Sequence, residues 1–270
     1  SSDLQEQVIN AIKEVKKAMG DQPAGADMSA ADSTPVGARI LGIQLEGPYI
    51  NPELAGAHIP LVIRSPKDSE IDEILAEADG NVRMVALAPE IEGGMDLVRR
   101  LRSEGIVASI GHSNATSEQT REAVRNGASH FTHILNAVRK FHQREPGCAF
   151  TALVDPGVTV ELILDTRHVH IDAAEMVIRT KSPHGVALVS DSILAAGLGD
   201  GSYNVWGFDV IVKDGIATLE DGTIAGSVIT LNQAVRNAVE LLGIPAHEAF
   251  GMAARVPFEV LGMGGRAGVL

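Results

Sequence analysis

The sequence predicts an α/β fold of the βα-barrel type, in which parallel strands are connected by helices. Short apolar runs alternate with segments of helical periodicity, which is the pattern of parallel strands with helical crossovers. Two neighbouring runs end near His112 and His133, and the spacing between these histidines fits one helix and one strand. Both imidazoles should therefore project from the same end of adjacent strands, where barrel folds carry their chemistry.

Six strands and most of the helices between them follow from hydrophobic periodicity and turn signals. The predicted strands are 39–45, 83–87, 107–110, 129–132, 158–164 and 186–190. The predicted helices are 4–19, 65–77, 94–104, 173–179, 230–242 and 246–254, with a further helix capped by Thr116 or Ser117 and ended by Gly127. Residues 20–35 are typical of an irregular surface loop. We expect one domain over 1–270, with a β-hairpin excursion at about 199–226.

Composition restricts the class of protein and its partners. The chain has 270 residues, of which 45% are hydrophobic, so it can bury a sizeable core. A net charge of −13 disfavours nucleic acid as a partner, because no basic stripe is present. The single cysteine, Cys148, excludes an intrachain disulfide and is compatible with a reducing compartment. No apolar run of about 18 residues and no signal peptide is found, so we expect a cytoplasmic protein without a membrane partner.

Four polar residues follow apolar strands and are candidates for a catalytic rim. Glu46, His112 and His133 offer two imidazoles and a carboxylate, which suit a metal site that keeps an open position for water. Asp191, after the last strand, is the candidate acid/base for that water. Each residue also has an ordinary interpretation. A lone histidine often lies in the core, Glu46 can cap a helix or pair with an arginine, and Asp191 can cap a helix through Ser192.

Several motifs resemble the N-acetylglucosamine-6-phosphate deacetylases of the amidohydrolase superfamily. They occur in the family's order and are far more specific together than singly. The motifs are LEGPYINPELAGAH (45–58), GHSNAT (111–116), THILNA (132–137), REPG (144–147), RHVH (167–170) and SDS (190–192).

The resemblance implies a metal-dependent TIM barrel that hydrolyses the N-acetyl amide of N-acetylglucosamine 6-phosphate to glucosamine 6-phosphate and acetate. It implies one divalent ion, with zinc favoured over iron, cobalt or manganese, bound by Glu46, His112 and His133. Asp191 would be the catalytic acid/base. The implied substrate-binding residues are His58, Asn136, Ala137, Arg144 and His168. The arginine that matches Arg144 reaches across a dimer interface in such enzymes, which implies a homodimer.

Arg144 also has an interpretation that involves no phosphate, namely a surface ion pair with Glu145.

The sequence departs from the family pattern in its barrel. A complete barrel has eight strands, and this chain supplies six. The first two strands, including the one that carries a His-x-His motif, and the small β-sandwich domain are not found in 1–270. We therefore expect an incomplete barrel, from a fragment or a shortened relative, in which strands 39–45 and 186–190 do not pair.

Two other functions remain open at the level of sequence. One is an amidohydrolase that acts on a cyclic amide or on a different N-acetyl sugar phosphate. The other is a sugar-phosphate-binding protein without catalytic activity.

Overall fold

The main body of the protein is a parallel sheet whose hydrogen-bonding order follows the order of the chain. This computed structural model describes residues 2–20, 39–205 and 207–265. The strands of the sheet are β1 Ile43–Glu46, β2 Val82–Leu87, β3 Val107–Ile110, β4 His130–Phe131, β5 Thr159–Ile163 and β6 Val186–Val189. The predicted α/β class and the six parallel strands are confirmed.

Helices separate most of these strands and cover the outside of the sheet. The α-helices of the described residues are α1 Ser2–Gly20, α2 Asp68–Ala78, α3 Gly94–Ser103, α4 Ser117–Asn126, α5 Gly147–Val154, α6 Ile171–Lys181, α7 Leu231–Leu242, α8 Ala246–Ala253 and α9 Arg255–Val260. Short 3₁₀ turns lie at Pro52–Leu54, Pro60–Val62 and Pro183–Gly185. No helix of the described chain combines the length and apolar character that crossing a bilayer requires.

Strand register aligns the carboxyl ends of the sheet. Glu46 pairs with Ala86 at the end of β1, and Leu87 pairs with Ile110 at the ends of β2 and β3. Phe131, the last residue of β4, pairs with Val160 in β5. The residues that follow these strands consequently emerge at one edge of the sheet.

Apolar burial between the sheet and its helices stabilises this arrangement. Side chains on β2 to β6 are almost fully buried, among them Leu87, Ile110, Phe131, Leu162 and Leu188. Fully burying one such side chain contributes about 1.5–3 kcal/mol relative to exposure. The rim residues therefore project from strands that a packed core holds in place.

The sheet is open in the part of the chain that the structure describes. β1 pairs with β2 alone and β6 with β5 alone among the named strands, so the first and last strands are not neighbours. This confirms the expectation of an incomplete barrel.

A second, smaller sheet lies between β6 and α7. It is antiparallel and consists of β7 Gly201–Val205, β8 Phe208–Lys213 and β9 Ile216–Thr218. Its buried side chains form an apolar cluster of their own with Ile193 and Ala225. The excursion expected at 199–226 thus contains three strands, because β9 adds to the hairpin of β7 and β8.

Several boundaries differ from the sequence prediction. The first strand begins at Ile43 rather than at 39, where its partner β2 begins with Val82. The fourth strand has two residues, since the chain turns away after Phe131. Helix α5 was not predicted, because residues 147–153 are buried almost throughout and show little amphipathic periodicity. The predicted loop 20–35 lies outside the described residues apart from Gly20.

Thr116, rather than Ser117, caps α4 and provides a test of local stability. Its hydroxyl accepts a hydrogen bond from the Gln119 backbone at 3.2 Å, and the Gln119 side chain accepts one from the Thr116 backbone at 2.9 Å. Losing such a cap typically costs about 1 kcal/mol, so Thr116→Ala should lower the free energy of unfolding by that amount.

Urea denaturation measures this change. The control is Thr180→Ala, which removes an exposed hydroxyl bonded within α6 and should change stability by less than about 0.5 kcal/mol. Equal effects of the two substitutions would contradict the capping role of Thr116.

Candidate metal centre and active site

Three side chains from the ends of β1, β3 and β4 meet at the carboxyl edge of the sheet. Glu46 Oε1 lies 2.9 Å from His112 Nε2 and 2.8 Å from His133 Nε2. The two Nε2 atoms are 3.1 Å apart. Among the described residues, this trio is the group of histidine, cysteine and acidic side chains close enough to hold one metal ion. The structure thus brings together the three predicted ligands.

The protonation of His112 makes this cluster suitable for a cation. Its Nδ1 lies 2.7 Å from the carbonyl oxygen of Leu54, and because a carbonyl only accepts, Nδ1 carries the proton. In the neutral ring, Nε2 then directs a lone pair at Glu46 and His133. Acceptor atoms that face each other at this distance need a shared cation between them, and a divalent metal fits two imidazoles and a carboxylate.

The charges within the trio shift two pKa values in opposite directions. Burial raises the pKa of Glu46, but hydrogen bonds and charge from His112 and His133 outweigh it, so this pKa lies well below its ordinary value. Burial lowers the pKa of His133, yet the hydrogen bond and charge of Glu46 dominate and raise it to about 9. The Glu46 carboxylate and the His133 imidazole thus each favour the charged form of the other.

The backbone at the rim is strained at the functional positions. His112, His133 and Asp191 have φ values of 47°, 27° and 48°, in the left-handed region that side-chain-bearing residues rarely adopt. Such conformations cost about 1–3 kcal/mol each and persist where surrounding structure enforces them. Here they turn each side chain off its strand direction and toward the cavity.

Asp191 follows β6 and is held by the Ser227 segment. The Asp191 carbonyl accepts a hydrogen bond from the Ser227 backbone at 2.8 Å, and the Ser227 hydroxyl donates to Ser190. Burial, followed by the charge of Glu46, raises the pKa of Asp191. No helix begins at Ser192, so the helix-capping interpretation of Asp191 does not apply.

His58 lies beside the trio. Its ring meets that of His112 edge-on, with 4.6 Å between centroids. Both ring nitrogens lie near carbonyl oxygens, Nε2 at 3.1 Å from Glu46 and Nδ1 at 3.0 Å from Ala55. These contacts fix the ring at the wall of the cavity.

His168 also lines this cavity and is oriented by the carboxylate of Asp165. Its Nδ1 donates to Asp165 Oδ2 at 2.7 Å, which leaves Nε2 as the ring's second polar atom. Burial raises the pKa of Asp165, but hydrogen bonds from the side chain and backbone of His168 and from the Arg167 backbone lower it below its ordinary value.

Asn136 and Ala137 follow His133 in a tight turn. Ala137 has a φ of 47°, and the Asn136 amide donates to the carbonyls of His133 and Ile134 at 3.2 and 3.3 Å. Both residues line the same cavity as the trio, with a volume of about 880 Å³. Apolar side chains from the small sheet, including Phe208 and Val210, also line it.

Arg144 lies apart from this cavity. It is exposed and lines a separate depression of about 400 Å³ with Arg121 and Arg139. The ion pair considered between Arg144 and Glu145 is not formed, because Glu145 instead pairs with Arg139 at 3.0 Å. Within one chain, Arg144 therefore does not join the other predicted substrate residues.

Sequence reasoning missed two residues that support the rim, Glu161 and Ser227. Glu161 accepts a hydrogen bond from the His133 backbone at 3.1 Å. A carboxylate inside an otherwise apolar strand was a signal that could have identified it. Ser227 offers no such signal, because its contacts with 190–193 join segments far apart in the chain.

Comparison with known proteins agrees with this site. A relative from Bacillus subtilis, an N-acetylglucosamine-6-phosphate deacetylase, is 42% identical over 78% of this chain and 54% of its own length. An N-acetylgalactosamine-6-phosphate deacetylase from Escherichia coli O157:H7 is 39% identical over 87% of this chain and 62% of its own length. The chain thus spans little more than half of these relatives.

Solved structures show the same likeness in three dimensions. A mutant N-acetyl-D-glucosamine-6-phosphate deacetylase from Mycobacterium smegmatis, in complex with N-acetyl-D-glucosamine-6-phosphate, superposes with a TM-score of 0.83 at 35% identity. The match covers 97% of this chain and 65% of that one. The profile of the amidohydrolase family matches residues 7–270. The resemblance of the motifs is confirmed, and the chain belongs to the amidohydrolase family.

Proposed function

We propose that this chain carries the catalytic centre of a metal-dependent deacetylase that converts N-acetylglucosamine 6-phosphate to glucosamine 6-phosphate and acetate. The observation that carries the proposal is the convergence of Glu46, His112 and His133 on one point, with Asp191 on the same cavity. The named activity of the similar deacetylases supports the choice of substrate. A cytoplasmic location stays a prediction.

Zinc is the proposed metal, because two imidazoles and a carboxylate form a common catalytic zinc site. Glu46 Oε1, His112 Nε2 and His133 Nε2 would hold it. When bound, the ion supplies a Lewis acid that polarises the amide carbonyl and lowers the pKa of the attacking water.

Asp191 moves the proton in this reaction. Its carboxylate takes a proton from the water that attacks the acetyl carbon and passes it to the sugar nitrogen as the carbon–nitrogen bond breaks. The raised pKa of Asp191 suits both roles, since a stronger base accepts the proton more readily. The second proton of the water leaves with the products, which are acetate and the protonated amine, and Asp191 returns to its ionised form.

The substrate is proposed to lie in the cavity that the metal trio and Asp191 line. His58 contacts the acetamido group near Glu46, while Asn136, the Ala137 backbone and His168 hold the phosphate at the other side. Arg144 reaches the phosphate from a second copy of the chain, which explains why it lies outside the cavity of its own chain. A guanidinium is well shaped to bind a phosphate dianion. The active form is therefore a homodimer.

A second candidate substrate is N-acetylgalactosamine 6-phosphate. The similar protein from Escherichia coli O157:H7 is named for this sugar. The two sugar phosphates share the amide and the phosphate, so the same metal trio and Asp191 would serve both.

Acetate release from both sugar phosphates, measured with chelator-treated and zinc-reconstituted protein, tests the proposal. We expect zinc-dependent release, with a higher kcat/KM for the glucosamine derivative. A higher value for the galactosamine derivative would identify the alternative substrate. Activity on cyclic amides alone, or binding of sugar phosphate without acetate release, would contradict the proposal.

Asp191→Asn should separate catalysis from metal binding. The amide cannot accept the water's proton, so turnover should fall at least about 10²-fold, as is typical for the loss of a general acid/base. Zinc content per chain should stay the same. Asp172→Asn, an exposed change on α6, is the control. Retained activity of Asp191→Asn would assign proton transfer to another group.

The metal centre should be mononuclear. The described residues provide one set of three ligands for a single ion. Elemental analysis of dialysed, zinc-loaded protein should give about one zinc per chain, and His133→Ala should abolish it, because two ligands remain. A reproducible stoichiometry near two would disprove a single site.

Arg144→Ala should weaken binding of the phosphorylated sugar far more than binding of free N-acetylglucosamine, which lacks the dianion. In the proposed dimer the guanidinium and the phosphate form a buried charge pair, and removing one partner of such a pair costs about 2–5 kcal/mol. Calorimetric titration of both sugars measures the difference. Arg179→Ala, which removes an exposed arginine on α6, is the matched control. Equal losses for the two sugars would exclude Arg144 from the phosphate site.

A further inference from the structure

A buried carboxylate lies in the middle of β5. Glu161 is 6% exposed and is flanked by the fully buried Val160 and Leu162. Carboxylates are rarely buried in this way unless their oxygens receive hydrogen bonds, because removing the charge from water is unfavourable. The partners of Glu161 therefore indicate its role.

Both carboxylate oxygens are directed at β4 and the turn that follows it. Oε2 accepts a hydrogen bond from the backbone N–H of His133 at 3.1 Å. Oε1 accepts one from His130 Nε2 at 3.2 Å, and His130 Nδ1 lies 2.6 Å from the hydroxyl of Thr159. The Glu161 backbone carbonyl accepts from Ile134 at 2.8 Å. One residue thus receives the amides of two successive residues, His133 and Ile134.

His133 depends on these bonds because its own strand has ended. Regular pairing of β4 stops at Phe131, and the last ladder-like bond is from the Thr132 amide to Ile110. His133 then takes its strained φ of 27°, which aims Nε2 at Glu46 and His112. No strand partner holds the His133 amide, and the Glu161 carboxylate takes that place.

We propose that Glu161 is a positioning residue for the metal centre, which fixes the backbone of His133 and thereby sets the affinity of the trio for zinc. The inference rests on the proposed metal site. Groups that orient metal ligands without touching the ion typically change metal affinity by about 10- to 100-fold when they are removed. His130 and Thr159 hold the carboxylate in the orientation that this role needs.

Zinc affinity of the full chain, measured by competition with a chromophoric chelator, tests the inference without requiring catalysis. Glu161→Leu removes both acceptors and should weaken zinc binding about 10- to 100-fold. Glu161→Gln keeps one neutral acceptor, and its zinc affinity should fall less, by about 3- to 10-fold. The remaining loss is expected because hydrogen bonds to a charged acceptor are roughly twice as strong as those to a neutral one.

Glu70→Gln is the matched control, since Glu70 is another buried carboxylate, 5% exposed, whose partner is Arg64 rather than the rim. It should lower the melting temperature and leave zinc affinity within about twofold of the parent. If Glu70→Gln lost as much zinc affinity as the Glu161 variants, general destabilisation of the fold would explain the loss. That result would overturn the inference.

Two further outcomes would also overturn it, and they are distinguishable. If the parent binds zinc but both Glu161 variants bind it within about twofold, Glu161 has no positioning role and the metal site stands. If His133→Ala binds zinc as the parent does, the proposed metal site itself fails.

If Glu161→Leu does not fold, the zinc affinity of Glu161→Gln decides the test alone.

Discussion

Three acceptor atoms that face one another across 2.8–3.1 Å form the contact on which the site depends. Glu46, His112 and His133 come from distant parts of the chain, and the parallel register of β1 to β4 is what brings them together. Such a cluster is unfavourable unless a cation is shared between its members. A divalent ion bound by the two imidazoles and the carboxylate would supply that charge.

The rim is maintained by groups that do no chemistry themselves. The Leu54 carbonyl sets the tautomer of His112, the Glu161 carboxylate receives the His133 amide, and Ser227 holds the backbone of Asp191. Each partner steadies a residue in the left-handed region, where the strain of about 1–3 kcal/mol must be offset by surrounding structure. Because the core beneath is closely packed, the site can retain a strained geometry that a flexible loop would release.

Most of the strands and of the candidate site could be predicted from the sequence, because they follow from short-range patterns. Apolar runs identified all six strands, and the strand ends identified Glu46, His112, His133 and Asp191 as a group. Helix α5 was not predicted, because it is buried on nearly all sides and lacks the polar face that marks a surface helix. The position of Arg144 outside the cavity, and the hydrogen bonds from Ser227, depend on contacts between segments far apart in the chain, which periodicity does not encode.

X-ray absorption of the zinc-loaded protein shows whether the trio binds one metal ion through two imidazoles and a carboxylate. We expect two imidazole nitrogens and oxygen ligands, all at about 2.0–2.2 Å from the zinc. A sulfur ligand at about 2.3 Å, which only a cysteine or methionine could supply, would contradict it. So would a spectrum with fewer than two imidazoles.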